Sequence, residues 1–400
     1  MAELSAHRVL VLHNRYRIVG GEERCVEHLL DIVPRFGGAA ELLERRSSET
    51  SSVDAARGML FGGSDPEAVG RAVERFGATV VHAHNIHPTF GYRALEAARE
   101  AGAAVVLHLH NYRLYCAIGT VYRDGADCTL CAPDQQRAGV RHRCRGSLSE
   151  SLLYARGIGH GQDRTLATLD KLIAPVSNLA DDLQRELRRK LPVEVLPYWL
   201  SDSNFAHASE AGRGEYVLLA GRVTREKGIF TAIEAAARAS VALVVAGVGP
   251  DLAEARARAA ELKAPVEFVG QLDGQALVAA RLGAGAALLP SLWREVLPLS
   301  GLEALAAGLP LITSDRGGLP DQTEQEFVAP AGDVEALASK LKLLMDDPAL
   351  RQQAGERSLG RARERFSQAA VLPELTRIYD EAVAARNSAT RSPISRPASS

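Results

Sequence analysis

The chain has 400 residues, 46% of them hydrophobic, and 47 lysines and arginines against 49 aspartates and glutamates leave a formal net charge of −2. That length suits two domains of roughly 150–200 residues each, and the near-neutral balance gives no reason to expect nucleic acid as a partner. No run of about 18 apolar residues is present, and residues 1–20 lack an apolar signal-peptide core, so a cytoplasmic protein is expected.

Residues 8–13 (RVLVLH) have a short buried-strand pattern, followed by a polar, glycine-bearing loop over 14–21 and an amphipathic helix over 22–33. Gly20 and Gly21 let a ligand approach the backbone at that helix start, although glycine turns of this sort are often only tight connections. Residues 66–76 predict another helix, and 79–83 a strand that ends in His82, His84, Asn85 and His87. Polar residues at the carboxyl end of a parallel strand face the ligand crevice. These histidines bring no carboxylate or cysteine with them, and strand alternation is expected to divide their directions. They therefore read as pocket lining, or as a satisfied loop, ahead of a metal site. Residues 103–109 are the next strand, and His110-Asn111-Tyr112 follows directly. A lone histidine at a strand end is more often structural than functional.

Cys116, Cys128, Cys131 and Cys144 fall in a loop-rich insertion over 111–146, where Cys128 and Cys131 form a C-x2-C pair. A cytosolic chain keeps its thiols reduced, so the group reads either as small buried thiols or as a structural zinc site. Basic clusters at residues 141–145 and 185–190 read as solvated faces, with contact to the inner membrane surface as the other reading. Residues 147–171 predict one long helix. The last strands of the first domain follow at 172–175 and 193–196, with Ser177 or Asn178 capping the helix between them. The polar stretch over 201–214 has no periodicity and reads as a linker.

Residues 216–220 open a second set of alternating strands and helices, with further strands at 241–246, 266–269, 286–289 and 309–313. Alternation in both halves argues an α/β protein of two parallel-sheet domains facing a cleft. After the first of these strands, Arg222 and Lys227 can straddle a diphosphate, one as a planar fork and the other as a point charge. The plain alternative is a pair of surface cations. Residues 288–320 then pack a strand end, a loop, a helix over 300–307 and another strand into one stretch. Glu295 is expected in the loop and Glu303 in the first turn of the helix. Both carboxylates suit gripping sugar or ribose hydroxyls; otherwise Glu303 complements the helix dipole and Glu295 is solvated. Helices over 333–345, 348–365 and 368–385 complete the pattern, and residues 387–400 predict disorder.

These strings together resemble glycosyltransferase family 4, the retaining nucleotide-sugar glycosyltransferases with the two-Rossmann GT-B fold. The resemblance rests on Glu295 and Glu303 with seven residues between them, Pro290-Ser291 before them, and Ala307-Gly308, Pro310, Gly317-Gly318 and Pro320 after them. The string from Gly221 to Gly228 (G-R-x4-K-G) and the GG-x-E of Gly20, Gly21 and Glu23 extend it, so that it covers the chain to about residue 385. It implies an acceptor domain over 1–200 that holds the insertion, a linker over 201–214 and a donor domain over 215–367. A helix over 368–386 would cross back to the first domain and a tail over 387–400 would follow.

The resemblance further implies that Arg222 and Lys227 hold the donor's phosphates, Glu295 the transferred sugar and Glu303 the ribose, with catalysis independent of metal. His110 would lie beside the sugar, with His108 as the alternate, and Gly20 and Gly21 near the diphosphate. Gly247, Val269, Leu299 and Ser300 would complete the nucleotide-sugar site, and domain closure would exclude water. Many members carry Gly-Phe-Gly after the first glutamate, whereas this chain has Val296-Leu297-Pro298, and Pro298 has no N–H to offer. Some members have cysteines after the His-Asn-Tyr-Arg stretch.

The expected function is transfer of a sugar from a nucleotide diphosphate-sugar to a hydroxyl of a glycan, lipid or small molecule. A nucleotide-sugar epimerase shares the fold, but the E-x7-E spacing argues against it. A dinucleotide oxidoreductase lacks its G-x-G-x-x-G fingerprint here, and a zinc-bearing binding module would not need the donor motifs. The sugar, the base, the acceptor and the oligomeric state are not encoded in any string.

Overall fold

The computed structural model describes residues 4–16, 20–132 and 135–391, and the chain divides into two compact units. The first draws on Met1–Gly119, Thr129–Leu196 and Leu372–Ser400, the second on Thr120–Cys128 and Pro197–Val371. Strands β1 (Arg8–Arg15), β2 (Ala39–Arg46), β3 (Val80–Ala83) and β4 (Ala104–His108) begin the sheet of the first unit. A hairpin of β5 (Tyr122–Arg123) and β6 (Ala126–Asp127) interrupts the sequence and belongs to the second unit. With β7 (Lys171–Ala174) and β8 (Val193–Val195) the first sheet is complete, in the order β2-β1-β3-β4-β7-β8, all parallel. Its central strands are apolar runs, with Val9 to Leu12, Val80, Val81 and Val105 to Leu107 all buried, as expected of a parallel sheet covered on both faces.

Helices α1 (Gly21–Arg35), α2 (Ser52–Phe61), α3 (Glu67–Phe76), α4 (Gly91–Glu100), α5 (Arg137–Arg141), α6 (Leu148–Thr168) and α7 (Ser177–Leu187) connect these strands. The glycines inside α6 serve packing: a Cβ on Gly157 would stand 2.7 Å from the Met59 carbonyl oxygen of α2. Ser177 is the first residue of α7 and not its cap; Val176 holds that position without a side-chain bond. No pattern in the chain marked β2, because AAELLERR is made of helix formers. Its residue-by-residue register with β1, from Arg8↔Ala39 to Arg15↔Arg46, overrides that propensity.

In the second unit β9 (Tyr216–Ala220), β10 (Leu243–Ala246), β11 (Val266–Gly270), β12 (Ala284–Leu289), β13 (Leu311–Ser314) and β14 (Val328–Ala329) form a parallel sheet ordered β11-β10-β9-β12-β13-β14. Helices α8 (Ile229–Ala239), α9 (Leu252–Glu261), α10 (Gly274–Leu282), α11 (Leu299–Ala306), α12 (Val334–Asp346) and α13 (Pro348–Phe366) complete the unit, and α14 (Gln368–Arg391) starts in it and ends in the first. The stretch over 201–214 is packed and not loose. Ala211 is fully buried, Ser209 donates to the Gly308 carbonyl, and the Arg351 guanidinium donates to the carbonyls of Ala211, Gly212 and Gly214. The final helix runs through residues 387–391, where disorder was expected; Ser388 there satisfies its hydroxyl on the Ala384 carbonyl. The rest of that expected tail, residues 392–400, lies outside the described residues.

Both strand orders reverse direction once, between β1 and β3 in the first sheet and between β9 and β12 in the second. In an open α/β sheet that reversal opens a crevice at the carboxyl ends of the two strands, where ligands bind.

Candidate active site

In the second unit the loops leaving β9 and β12, the two strands at the reversal, are bonded to each other. The Leu292 N–H donates to the Glu226 carbonyl at 2.8 Å, and a Cβ on Gly228 would stand 1.9 Å from the Pro290 carbonyl oxygen. Gly228 also has φ +76°, so only glycine suits the position on both counts. This union brings Lys227 Nζ to 2.5 Å from Glu295 Oε1. The same oxygen accepts from Ser291 Oγ at 2.7 Å and from the Trp293 indole N–H at 2.8 Å, while Lys227 Nζ lies 5.3 Å from the Trp293 ring centre. Glu295 is buried and Lys227 is about a quarter exposed. Gly317, at φ +58°, packs on the Glu295 backbone, and the Gly318 N–H donates to the Glu295 carbonyl at 2.8 Å.

Arg222 is half exposed and 3.5 Å from Glu226. Gly247 meets a structural need: a Cβ there would stand 1.8 Å from the Gly221 carbonyl oxygen, because the loops after β9 and β10 stay paired beyond the sheet. Leu299 and Ser300 are the first two residues of α11, and Val269 is half-buried in β11. Glu303 departs from expectation. Since α11 begins at Leu299, Glu303 stands beyond its first turn, buried and ion-paired with the equally buried Arg281 of α10. Burial in an apolar helix face requires a partner for such a carboxylate, and Arg281 had no signal in the sequence, lying 22 residues away in another helix. Asp127, from the β5–β6 hairpin, accepts from Arg294 at 3.0 Å and pairs with Arg316 at 3.4 Å beside the same loop.

In the first unit β3, which flanks the reversal, and its neighbour β4 carry histidines at their carboxyl ends. His84 Nδ1 is 2.7 Å from His110 Nε2, and the rings of His82 and His84 stack at 4.7 Å with 9° between planes. The expected division of directions by strand alternation was mistaken for this pair, since residues two apart on a strand share a face. His108 and His110 of the neighbouring strand end stack at 4.8 Å. A cavity of about 50 Å³ is lined by Glu22, His84, His87, His108, His110 and Arg113 among others. Burial, and for His110 the neighbouring imidazoles, hold His87 and His110 neutral, with pKa pushed down to about 3. Burial likewise raises Glu22 to about 7. Arg113 donates to the Tyr16 hydroxyl at 2.6 Å. None of Glu22, Arg113 and Tyr16 was singled out by sequence.

Glu23 caps the start of α1, taking the N–H of Gly20 at 2.7 Å and of Tyr16 at 3.1 Å. Burial opposes its ionisation, but the His13 imidazole 3.8 Å away and the backbone hydrogen bonds outweigh it and hold it down at about 2. Gly20 has extended backbone that other residues adopt, and a Cβ there would meet only Glu23 Oε2 at 3.6 Å; Gly21 is the exposed first residue of α1. Among the described residues no group of three close metal-ligand atoms includes Cys116, Cys128, Cys131 or Cys144. Within the insertion the Gln136 amide donates to the carbonyls of Tyr115 and Cys131. Among the described residues no helix is long and apolar enough to cross a membrane.

Residues 202–361, which contain Arg222, Lys227, Glu295 and Glu303, match the model of the family described as Glycosyl transferases group 1. A glycogen synthase of Mycobacterium tuberculosis is 35% identical over 173 residues, which are 41% of this chain and 42% of that protein. The chain thus spans less than half the length of that curated relative. Among solved structures, sucrose-phosphate synthase from Thermosynechococcus elongatus superposes with a TM-score of 0.69 at 18% identity, covering 95% of this chain and all of that one. Anabaena HepE in complex with UDP and glucose gives 0.64 at 14% identity, covering 94% and 99%. At such identities the likeness shows the fold, and it is the expected one of two Rossmann-like parallel-sheet domains.

Proposed function

We propose that this chain is a retaining glycosyltransferase that moves a sugar from a nucleotide diphosphate-sugar to a hydroxyl acceptor, with the donor held by the second unit. The observation that carries this reading is Glu295 itself. It is a buried carboxylate at a sheet reversal, fixed by a serine hydroxyl, an indole N–H and a lysine 2.5 Å away. Three donors converging on one oxygen hold the carboxylate in a single orientation, as a group that presents itself to a sugar requires.

In the reaction the bond from the anomeric carbon to the diphosphate oxygen breaks. A bond to the acceptor oxygen forms on the same face, and the acceptor proton passes to the departing diphosphate. Negative charge develops on the departing diphosphate, where Lys227 and the half-exposed Arg222 supply compensating charge without a metal. Glu303 takes the ribose, with Arg281 orienting its carboxylate. Gly247, Val269, Leu299 and Ser300 are further donor contacts, and the resemblance assigns His110 to the sugar. These assignments rest on the resemblance in sequence. The matched family segment contains the donor residues, and UDP with glucose in the complexed Anabaena neighbour supports a nucleotide-sugar as donor.

A thermal-shift screen of nucleoside diphosphates and their sugars tests the reading, because a ligand of the folded state raises apparent stability by mass action. At least one nucleoside diphosphate is expected to raise Tm, and its sugar to be turned over with its anomeric configuration kept in the product. Absence of any shift across the common nucleotides, or an inverted product by NMR, refutes it.

A further inference from the structure

The carboxyl ends of β3 and β4 hold more histidine than the proposed reaction uses. Register sets His82 opposite Val106, which places His84 level with His108 on the adjacent strand. All three side chains are buried, and their nearest ring nitrogens lie within 4.8 Å of one another. Two of the rings are already fixed at the opposite nitrogen. His82 Nδ1 is 2.8 Å from the Tyr379 hydroxyl, and His84 Nδ1 is 2.7 Å from His110 Nε2. With those nitrogens donating, the lone pairs reside on His82 Nε2 and His84 Nε2, and both atoms are buried without a hydrogen-bond partner among the described residues. One nitrogen held by a neighbour while the other is left as a lone pair is the arrangement that ligand histidines adopt around a metal.

We propose that His82, His84 and His108 form a binding site for a divalent transition metal of the zinc type, held within the first unit. Imidazole nitrogen suits zinc, copper and nickel and discriminates against magnesium and calcium, which require oxygen. A zinc ion stands about 2.0–2.1 Å from each nitrogen, so the three donors must close to about 3.4 Å apart. Closing them requires the stacked rings of His82 and His84, now 9° from parallel, to turn so that both Nε2 lone pairs aim at one ion while each ring keeps its bond at Nδ1. Three histidines leave a fourth position for water. The cavity that His84 and His108 line together with Glu22 gives the ion an approach and a nearby carboxyl group to offset its charge. Burial keeps His82 neutral and holds His84 and His108 far below their usual range, which is the protonation state that coordinates. The ion would pin the ends of β3 and β4 together.

The test uses the full chain without a histidine tag, stripped with chelator and then freed of it. Zinc is added, unbound metal is removed, and bound metal is measured by mass spectrometry; cobalt is substituted in parallel for its visible spectrum. One equivalent of zinc per chain is expected, with cobalt d–d bands and no thiolate charge-transfer band, and the same stoichiometry in a Cys128→Ser/Cys131→Ser variant. His84→Gln should weaken binding at least 100-fold, and Tyr379→Phe, which keeps the ring but removes the supporting oxygen, by about 10–100-fold. Circular dichroism checks that both variants fold. If His84→Gln does not, the wild-type stoichiometry and cobalt spectrum decide alone. Less than about a tenth of an equivalent of zinc, a thiolate band, or unchanged binding in folded His84→Gln overturns the proposal. None of these readings depends on nucleotide binding.

Discussion

Glu303 is buried and ion-paired with Arg281, a contact made by two helices of one unit. Removing one partner of a buried ion pair leaves an uncompensated charge, at a cost on the order of 3 kcal/mol. Glu303→Ala is therefore expected to lower Tm by several degrees before any nucleotide is added. A Tm equal to wild type would mean that the pair contributes nothing to the fold. Glu22 supplies a second residue-scale expectation. Burial raises its pKa from an ordinary 4.5 to about 7, so between those values the unfolded chain has released a proton that the folded chain still holds. Stability conferred by the protonated carboxyl is thus present at low pH and lost as pH rises through about 7. Glu22→Gln, neutral at every pH, should gain stability over wild type on going from pH 5 to pH 8, by on the order of 1 kcal/mol or more. Urea titrations at the two pH values measure it, and a constant difference would contradict the shift.

At the scale of elements, the strand and helix alternation was readable because parallel strands buried on both faces are continuous apolar runs bounded by turns. What escaped was set by neighbours. The edge strand β2 is built of helix formers, and the stretch over 201–214 looked loose because its order comes from Arg351, about 140 residues later. The hairpin β5–β6 was read as part of the cysteine insertion, but Asp127 ties it to Arg294 and Arg316 of the second unit. The loops after β9 and β12 carry the sharpest expectation at this scale. Gly228→Ala adds a Cβ 1.9 Å from the Pro290 carbonyl at φ +76°, so the two loops must part. More than about 1 kcal/mol of stability should be lost, and Lys227 should no longer reach Glu295. A variant with wild-type turnover and Tm would show that the loop union is dispensable.

For the whole molecule, each unit places its polar residues where its own strand order reverses, and that placement decides which of the sequence signals can act together. In the second unit Lys227 and Glu295, 68 residues apart in sequence, become neighbours because β9 and β12 flank the reversal. Ser291 and Trp293 join them from within the same loop; the string marked Glu295, and only the fold shows the three donors that hold it. The proposed role of this cluster is to receive the diphosphate and sugar of a nucleotide-sugar. Calorimetric titration of wild type and Lys227→Ala with the nucleoside diphosphate that stabilises the chain checks it. One site per chain is expected in wild type, weakened at least tenfold in the variant, about 1.4 kcal/mol of binding energy, with the fold intact by circular dichroism. Equal affinity in the two proteins would overturn it.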